Sequence, residues 1–230
     1  MSVSEDRTVQ PTPTTAVTLP GPADPGPLGL AAFALTTFLL SASNANWMTH
    51  ATGGNGLGAW LGFALAYGGL AQLLAAMWEY RNRNVFGATA FGTFGAFWIG
   101  LGIWYLQVLR PAVAVAILHP LTLPATVSGL HHDLGWILLG FAIFTTYLLI
   151  LATGTNLALF ATILLLWAAL IILMAGNFYL GSAQTSGIIQ VGGYVGVATA
   201  LAAWYTSWAG MAAFMGHKVR IPVGAPLLKP

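Results

Sequence analysis

The chain has 230 residues, of which 57% are hydrophobic, and only seven are Lys or Arg and five are Asp or Glu. A soluble domain carries roughly 25% charged residues, so the composition and the mean hydropathy of +0.79 indicate an integral membrane protein. The net charge of +2 arises without a Lys/Arg cluster, which argues against nucleic-acid binding. The absence of cysteine excludes disulfides and thiolate metal sites.

The chain begins with a Pro/Thr-rich segment that has no long apolar run, so it is typical of a disordered tail and not of a cleavable signal peptide. At its end, Asp24 is a candidate N-cap, and Pro25 or Pro27 is a candidate first-turn residue of helix 1. We therefore expect a disordered cytoplasmic tail over residues 1–27, a six-helix transmembrane domain over residues 28–216 and a short basic cytoplasmic tail over residues 217–230.

Long stretches without charged residues set the number of spans. A transmembrane helix requires about 20 apolar residues, and three such stretches have room for two, one and three helices. The sequence therefore predicts an all-α integral membrane protein with six transmembrane helices. The stretches run from Asp24 to Glu79, from Arg83 to Arg110 and from Asp133 to Lys218.

Proline positions suggest where the helices end. Pro111 is expected to stop helix 3, because an interior proline disrupts a helix. A loop with Pro120, Pro124 and the sequence GLHHD is expected before helix 4. The six predicted helices cover about residues 28–44, 56–80, 86–109, 134–152, 157–176 and 186–214.

Lys and Arg are distributed unevenly between the two sides of the predicted bundle. If the N-terminus is cytoplasmic, the opposite side holds only Arg110, so the positive-inside rule predicts that both termini are cytoplasmic. The cytoplasmic side then holds Arg7, Arg81, Arg83, Lys218, Arg220 and Lys229.

Small residues recur at four-residue spacing in helices 2, 3 and 6. This spacing allows helix backbones to approach closely in a membrane, so it predicts a tight bundle or a tight oligomer. The residues are Gly58 and Gly62, Ala88 and Gly92, and Gly192, Gly196 and Ala200.

Charged side chains are expected only outside the spans or at their ends, with Glu79 at the cytoplasmic end of helix 2. The spans thus lack the lysine of a retinal protein and the aspartate of an intramembrane protease, and we expect no catalytic residue, metal or cofactor. Haem is disfavoured because the histidines also lie outside the spans. The sequence His131-His132-Asp133 in the outer loop is interpreted either as a metal or pH-sensing site or as a solvated loop.

Uncharged polar residues remain within the spans or at their ends. Buried amides and hydroxyls in a bilayer must find partners, so each is either an interhelical hydrogen bond or part of a path for a small polar solute. The candidates are Thr36, Thr37, Asn44, Gln72, Thr89 and Asn177.

Several sequence strings resemble the acetate uptake transporter family of the YaaH and SatP type. DPGPLGL, followed by AAFALTTFLL, is similar to the NPAPLGL signature and first helix of that family. YGGLAQLLAAMWEY and FGATAFGTFGAFW resemble its second and third helices, and the similarity runs from about residue 24 to residue 216. The signature residues would be Asp24, Pro25, Pro27, Leu28, Gly29 and Leu30.

The resemblance implies a six-helix protomer, usually assembled as a homohexamer, that carries acetate and other short monocarboxylates, sometimes succinate, across the plasma membrane. Each protomer would have its own path with a hydrophobic constriction of two aromatic residues and a leucine. By motif, these fall on Phe33, Phe94 and Leu166, and a small path-lining residue falls on Ala203.

The chain departs from the family pattern at three places. Asp24 replaces the leading Asn of the signature, Phe94 replaces the usual constriction Tyr, and Ser41 and Ser43 stand where relatives commonly have Asn and His. These changes affect the expected substrate range more than the fold. Without a carboxylate or His within the spans, we expect any transported proton to travel on the substrate.

Three functions remain in competition. A carboxylate transporter leads, and the alternatives are a channel for another small solute and a non-transporting scaffold or sensor. A membrane-embedded enzyme would require a reactive residue within a span, and none is predicted there.

Overall fold

The computed structural model describes residues 21–48, 58–118, 123–179, 186–215 and 220–228. Every regular element within these ranges is a helix, and six helices are long and apolar enough to cross a membrane, as predicted. They are α1 (Gly26–Asn44), α2 (residues 58–81), α3 (residues 85–118), α4 (Leu123–Ala152), α5 (Leu157–Tyr179) and α6 (Ser186–Phe214).

α1 begins earlier than expected. Its first residue is Gly26 and its cap position is occupied by Pro25, so the prediction that Asp24 is the N-cap is wrong by one position. Asp24 still serves the helix end, because its Oδ1 accepts a hydrogen bond of 2.8 Å from the N–H of Gly26. The predicted disordered tail lies mostly outside the described residues.

α3 does not stop at Pro111 but continues to Leu118, which corrects the prediction. The segment Tyr105–Leu109 immediately before this proline is π-helical. A proline ring normally clashes with the carbonyl four residues earlier, which here belongs to Gln107. A π turn joins residues five apart instead of four, so the turn that the proline ring would otherwise contact has a different geometry here.

The expected loop before α4 is largely helical. α4 begins at Leu123, so the sequence GLHHD lies within its first three turns. Pro124 is the second residue of the helix, where the missing N–H leaves no hydrogen bond unmade. Pro120 lies outside the described residues, as do His50, His119 and His217.

α1 packs mainly against two other helices, α2 and α6. α6 packs against α1 and α5, α5 packs against α4, and α2 packs against α1 and α3. Of the predicted small residues, Gly196 faces Ser41 of α1 and Gly192 faces Leu173 of α5. Gly62, in contrast, faces open space, so it makes no helix contact within the protomer.

The closest approach of α6 to α1 occurs at Gly193. A Cβ atom on this residue would lie 2.5 Å from the backbone N of Ala45 and 2.8 Å from the backbone O of Ser41. Backbone atoms cannot rotate away as a side chain can, so a methyl group here must push the helices apart. The sequence pattern predicted a small-residue stripe on α6 but did not single out this position.

We predict that Gly193→Ala destabilises the fold by about 2 kcal/mol, which corresponds to a melting temperature lower by roughly 4–8 °C. Thermal unfolding of the detergent-solubilised protein measures this shift. Gly187→Ala is the matched control, because it lies on the same helix with nothing within 4 Å of its added Cβ. Equal melting temperatures for the two variants would contradict the packing argument.

Candidate functional site

A cavity of about 330 Å³ opens at the end of the bundle where α1 begins. Its mouth is polar and includes Asp24, Glu79 and Asn84, whereas its far end is apolar. The walls come from α1, α2, α3, α5 and α6. Five of the six helices therefore contribute to one concave site, the kind of feature in which small molecules bind.

The inner end of the cavity is an aromatic floor made by Phe33, Phe94 and Leu166. The rings of Phe33 and Phe94 are in tilted contact, with centroids 5.8 Å apart, and all three side chains are buried and line the cavity. Phe94 also contacts the ring of Phe144 edge to face at 5.6 Å. The structure thus brings together the three residues proposed as a constriction, while their role in transport stays a prediction.

Ala203 lies in the same hydrophobic cluster as the aromatic floor and is fully buried. It does not line the cavity. Its small size instead lets α6 pack closely behind the floor, so the structure gives it a packing position and the path-lining role stays a prediction.

The signature segment holds the first turn of α1 in place. Ser207 Oγ donates a 2.6 Å hydrogen bond to the carbonyl of Pro27, which ties this turn to α6. A Cβ on Gly29 would lie 2.7 Å from the ring of Phe91, so α1 approaches α3 closely there. Pro25 is buried, Leu30 lines the cavity, and Leu28 is exposed on the outer face.

Two carboxylates stand at the mouth of the cavity. A Cβ on Gly26 would lie 3.0 Å from Asp24 Oδ1 and 3.5 Å from Glu79 Oε1, so both carboxylates lie next to this glycine. Asp24 is exposed, but Glu79 is only 2% exposed. When both are ionised, two carboxylates so close together make the mouth unfavourable for a passing anion.

Glu79 is held in place by the beginning of α3. Asn84 Nδ2 donates a 2.9 Å hydrogen bond to Glu79 Oε2, and Asn84 Oδ1 accepts a 3.0 Å hydrogen bond from the N–H of Gly87 as the helix cap. A Cβ on Gly87 would lie 2.8 Å from the Glu79 carboxyl group. The absence of a side chain at this position therefore makes room for the carboxylate.

Sequence reasoning missed Glu79 as a cavity residue, because a charge near a helix end was taken to lie outside the apolar region. The signal was present in the spacing. Gln72 and Glu79 are seven residues apart in a regular helical segment, so they share a face after two turns. Both line the cavity, whereas the sequence pattern placed Glu79 only at the cytoplasmic end of the helix and assigned it no part in the path.

Gln72 is the one candidate polar residue that lines this cavity. It is 1% exposed, and its Oε1 has no hydrogen-bond partner. It immediately follows the π-helical segment Ala64–Ala71, and such irregular turns frequently occur at functional sites. An unpartnered amide facing a cavity can bind a solute or water there.

The other candidate polar residues lie elsewhere. Thr36 Oγ1 donates to the carbonyl of Ala32 at 3.0 Å, and Thr37 Oγ1 is buried without a partner. Thr89 lines a separate groove between α3 and α4, and Asn44 is the half-buried last residue of α1. The structure therefore does not gather the predicted polar path into one site.

Asn177 belongs to the opposite end of the bundle, where it contacts His131. Its Nδ2 donates to the carbonyl of Leu173 at 2.8 Å, so its Oδ1 faces His131 Nδ1 at 2.8 Å. His131 Nδ1 must then carry the hydrogen. His132 packs edge to face against Phe178, with ring centroids 5.3 Å apart.

The metal interpretation of His131-His132-Asp133 gains no support. These residues lie in α4 and not in a loop. Among the described residues, no group of three His, Cys, Asp or Glu side chains is arranged to hold a metal ion.

A C-terminal strap, residues 220–228, covers one side of the cavity mouth. The carbonyl of Val223 accepts a 2.9 Å hydrogen bond from the N–H of Ala158, and the carbonyl of Pro222 accepts one of 2.5 Å from Tyr205 Oη. Ile221 and Val223 line the cavity. The sequence indicated only a short basic tail here, because these contacts depend on the chain turning back.

The turn within the strap requires glycine. Gly224 has a φ of +74°, and a Cβ there would lie 2.6 Å from Leu157 Cβ. A positive φ is readily adopted only by glycine, and the close contact adds a second reason. The strap is therefore fitted to the end of α5.

Comparisons with known proteins agree with this architecture. The chain is 38% identical over 206 residues to acetate permease A of Emericella nidulans, covering 87% of this chain and 65% of that protein. It is 37% identical over 190 residues to accumulation of dyads protein 2 of Saccharomyces cerevisiae, covering 83% and 62%. The chain thus spans slightly less than two thirds of the length of these fungal relatives.

Bacterial proteins are also similar. The succinate-acetate/proton symporter SatP of Escherichia coli is 40% identical over 79 residues, covering 34% of this chain and 39% of that protein. The solved structure of the bacterial acetate channel SatP superposes with a TM-score of 0.70 at 26% identity, covering 88% of this chain and 99% of that one.

The model of the GPR1/FUN34/yaaH family matches residues 6–224. This match covers all six helices and includes both the aromatic floor and the mouth of the cavity. The chain is a multi-pass membrane protein, and it belongs to the GPR1/FUN34/yaaH family.

Proposed function

We propose that this protein carries acetate and related short monocarboxylates across the plasma membrane, through a path within each protomer. The observation that carries the proposal is the cavity of about 330 Å³ that ends on the aromatic floor. A permease, a symporter and a channel for acetate among its relatives support the same substrate class. The cavity mouth would face the cytoplasm together with both termini.

The floor suits a small amphiphilic solute. The methyl group of acetate is compatible with aromatic side chains, and aromatic ring edges carry a partial positive charge that tolerates an anion. The amide of Gln72, on the same cavity wall, supplies a hydrogen-bonding group where hydrocarbon exposure of a charge is costly. Succinate has a second carboxylate to desolvate, so monocarboxylates are favoured.

The uptake of radiolabelled acetate into proteoliposomes tests this function directly. We expect acetate flux in vesicles that contain the protein and none above background in empty vesicles. Flux measured at fixed membrane potential over a range of pH separates proton-coupled transport from passage of the bare anion. A protein that moves no carboxylate at any pH would favour the scaffold or sensor alternative.

Phe94→Ala should widen the constriction and relax its selectivity. We expect butyrate flux, relative to acetate flux, to increase roughly tenfold, which is the scale of discrimination that one or two methylene groups provide in an apolar pocket. Competition between the two acids in the vesicle assay measures this ratio.

Phe97→Ala is the matched control for that substitution. Phe97 is a buried aromatic residue on the same helix that packs against Trp98 and Phe141, but it does not line the cavity. Its removal creates a similar void without opening the floor. The constriction proposal fails if both variants change the butyrate-to-acetate ratio equally.

Glu79→Gln should raise acetate flux by roughly three- to tenfold, because it removes a charge of the same sign as the solute from the cavity mouth. The amide keeps the size of the side chain and the contact with Asn84. Asp133→Asn serves as the control, since Asp133 is exposed near the opposite end of the bundle. Unchanged flux in Glu79→Gln would exclude an electrostatic role at the mouth.

We further propose that the protein assembles as a homohexamer, as the family resemblance implies. Large apolar side chains on the outer faces of the helices, such as Ile143, Trp78 and Trp208, are more than half exposed in the isolated protomer. They would contact lipid or neighbouring protomers. Native mass spectrometry should give six times the protomer mass of 24.1 kDa; a monomer or dimer as the main species would contradict this.

A further inference from the structure

The C-terminal strap places two apolar side chains at the mouth of the cavity. Ile221 and Val223 are half-buried and line the cavity. The residues that alternate with them, Arg220, Pro222 and Gly224, are exposed. The strap therefore presents one side to the cavity and the other to solvent, and its apolar side chains narrow the opening through which a solute reaches the aromatic floor.

Hydrogen bonds attach the strap to the bundle at three places. The carbonyl of Val223 accepts from the N–H of Ala158 at 2.9 Å, and the N–H of Leu228 donates to the carbonyl of Thr153 at 3.0 Å. Tyr205 Oη donates to the carbonyl of the residue before Val223. These partners belong to the turn before α5, the first turn of α5 and the middle of α6, so the strap is held along its length.

The strap nevertheless lacks the packing of the helices around it. No residue of the described segment 220–228 is buried, and the segment forms no helix or strand. Leu227 and Leu228 are 53% and 64% exposed. Segments with few buried apolar contacts and accessible backbone hydrogen bonds open locally at a small cost in free energy. The strap therefore has the character of a cover that detaches while the bundle stays folded.

We propose that the strap is a releasable gate on the cavity mouth, which controls how fast a carboxylic acid enters or leaves the cavity. The part that concerns the acid rests on the proposed function. With the strap in place, the opening that remains includes the carboxylates of Asp24 and Glu79, which disfavour an anion when both are ionised. Release of Ile221 and Val223 widens the mouth, so that a solute passes farther from these carboxylates.

The gate acts at a different place from the aromatic floor. Phe33 and Phe94 are buried side chains of packed helices at the inner end of the cavity, whereas the strap lies at the mouth and is held by hydrogen bonds. A change in the strap should therefore alter the rate of access without altering which acids pass the floor. The butyrate-to-acetate flux ratio separates the two effects.

A thiol inside the cavity measures access without any assumption about transport. The chain contains no cysteine, so Ala209→Cys introduces a single thiol at a position that lines the cavity and is 6% exposed. In this background, Tyr205→Phe removes one hydrogen bond to the strap. We expect the thiol to react with a water-soluble methanethiosulfonate about fivefold faster, the scale of one hydrogen bond. Tyr194→Phe is the matched control, because this tyrosine lies on the same helix and its hydroxyl accepts from Gln190.

A covalent lock should produce the opposite change. Thr153→Cys combined with Leu228→Cys places two thiols beside the hydrogen bond at the end of the strap, and a short bismaleimide links them. We expect the cross-link to lower acetate uptake into proteoliposomes several-fold relative to the unlinked double variant. Tyr205→Phe should raise the uptake, and both changes should leave the butyrate-to-acetate ratio unaltered. Thr153→Cys alone, treated with the same reagent, is the control.

The outcomes separate the gate from the function. Equal labelling rates in Tyr205→Phe and Tyr194→Phe, or acetate uptake that the cross-link leaves unchanged, would refute the gate. Acetate uptake by the wild-type protein would then leave the transport function standing. If the labelling rate responds to Tyr205→Phe but the wild-type protein takes up no acetate, the strap controls access to the cavity, and the proposed function fails together with the gating of an acid.

Discussion

The candidate site depends on the contact between Phe33 and Phe94, because these two rings close the inner end of the cavity. It depends on the position of α1, which is fixed at both ends. Ser207 binds the carbonyl of Pro27 at one end, and Gly193 admits the backbone of α1 at the other. A shift of α1 would separate the two rings, so the small residues of α6 matter to the site as well as to packing.

Several features could be predicted from the sequence because they depend on local composition. Apolar stretches of sufficient length gave the six helices, and motif similarity brought Phe33, Phe94 and Leu166 together. The sequence-based predictions were wrong at positions where contacts with a neighbouring helical turn determine the structure. Pro111 fails to end α3 because a π-helical turn precedes it, and Glu79 is buried because Asn84 and the missing side chain of Gly87 accommodate its carboxylate. The strap depends on Gly224 and on distant partners, which no local pattern reveals.

Because the interior of the bundle is apolar, the polar side chains that lack a hydrogen-bond partner are the most informative about where a solute could bind. Inside a membrane protein, a threonine normally bonds to its own helix, so most hydroxyls in the bundle are already used. The remaining groups are Gln72 on the cavity side of the floor and Thr37, Trp98 and Trp60 without partners. The candidate polar path chosen from residue type alone therefore mixed bonded side chains, such as Thr36 and Asn177, with the unsatisfied Thr37 and Gln72. The unsatisfied ones, including two tryptophans that residue type did not suggest, form a more specific set.

The mouth of the cavity has two carboxylates, whereas its inner end is apolar. This difference affects the form in which an acid would pass. At the mouth, Asp24 and Glu79 flank Gly26, and two carboxylates disfavour a third. Asp24 stands where the family resemblance implies Asn, so this chain has a second carboxylate at the mouth. An acid would meet less repulsion there in its neutral form. The narrowest point of the cavity, at Phe33 and Phe94, could then pass the neutral acid without a charged group of its own.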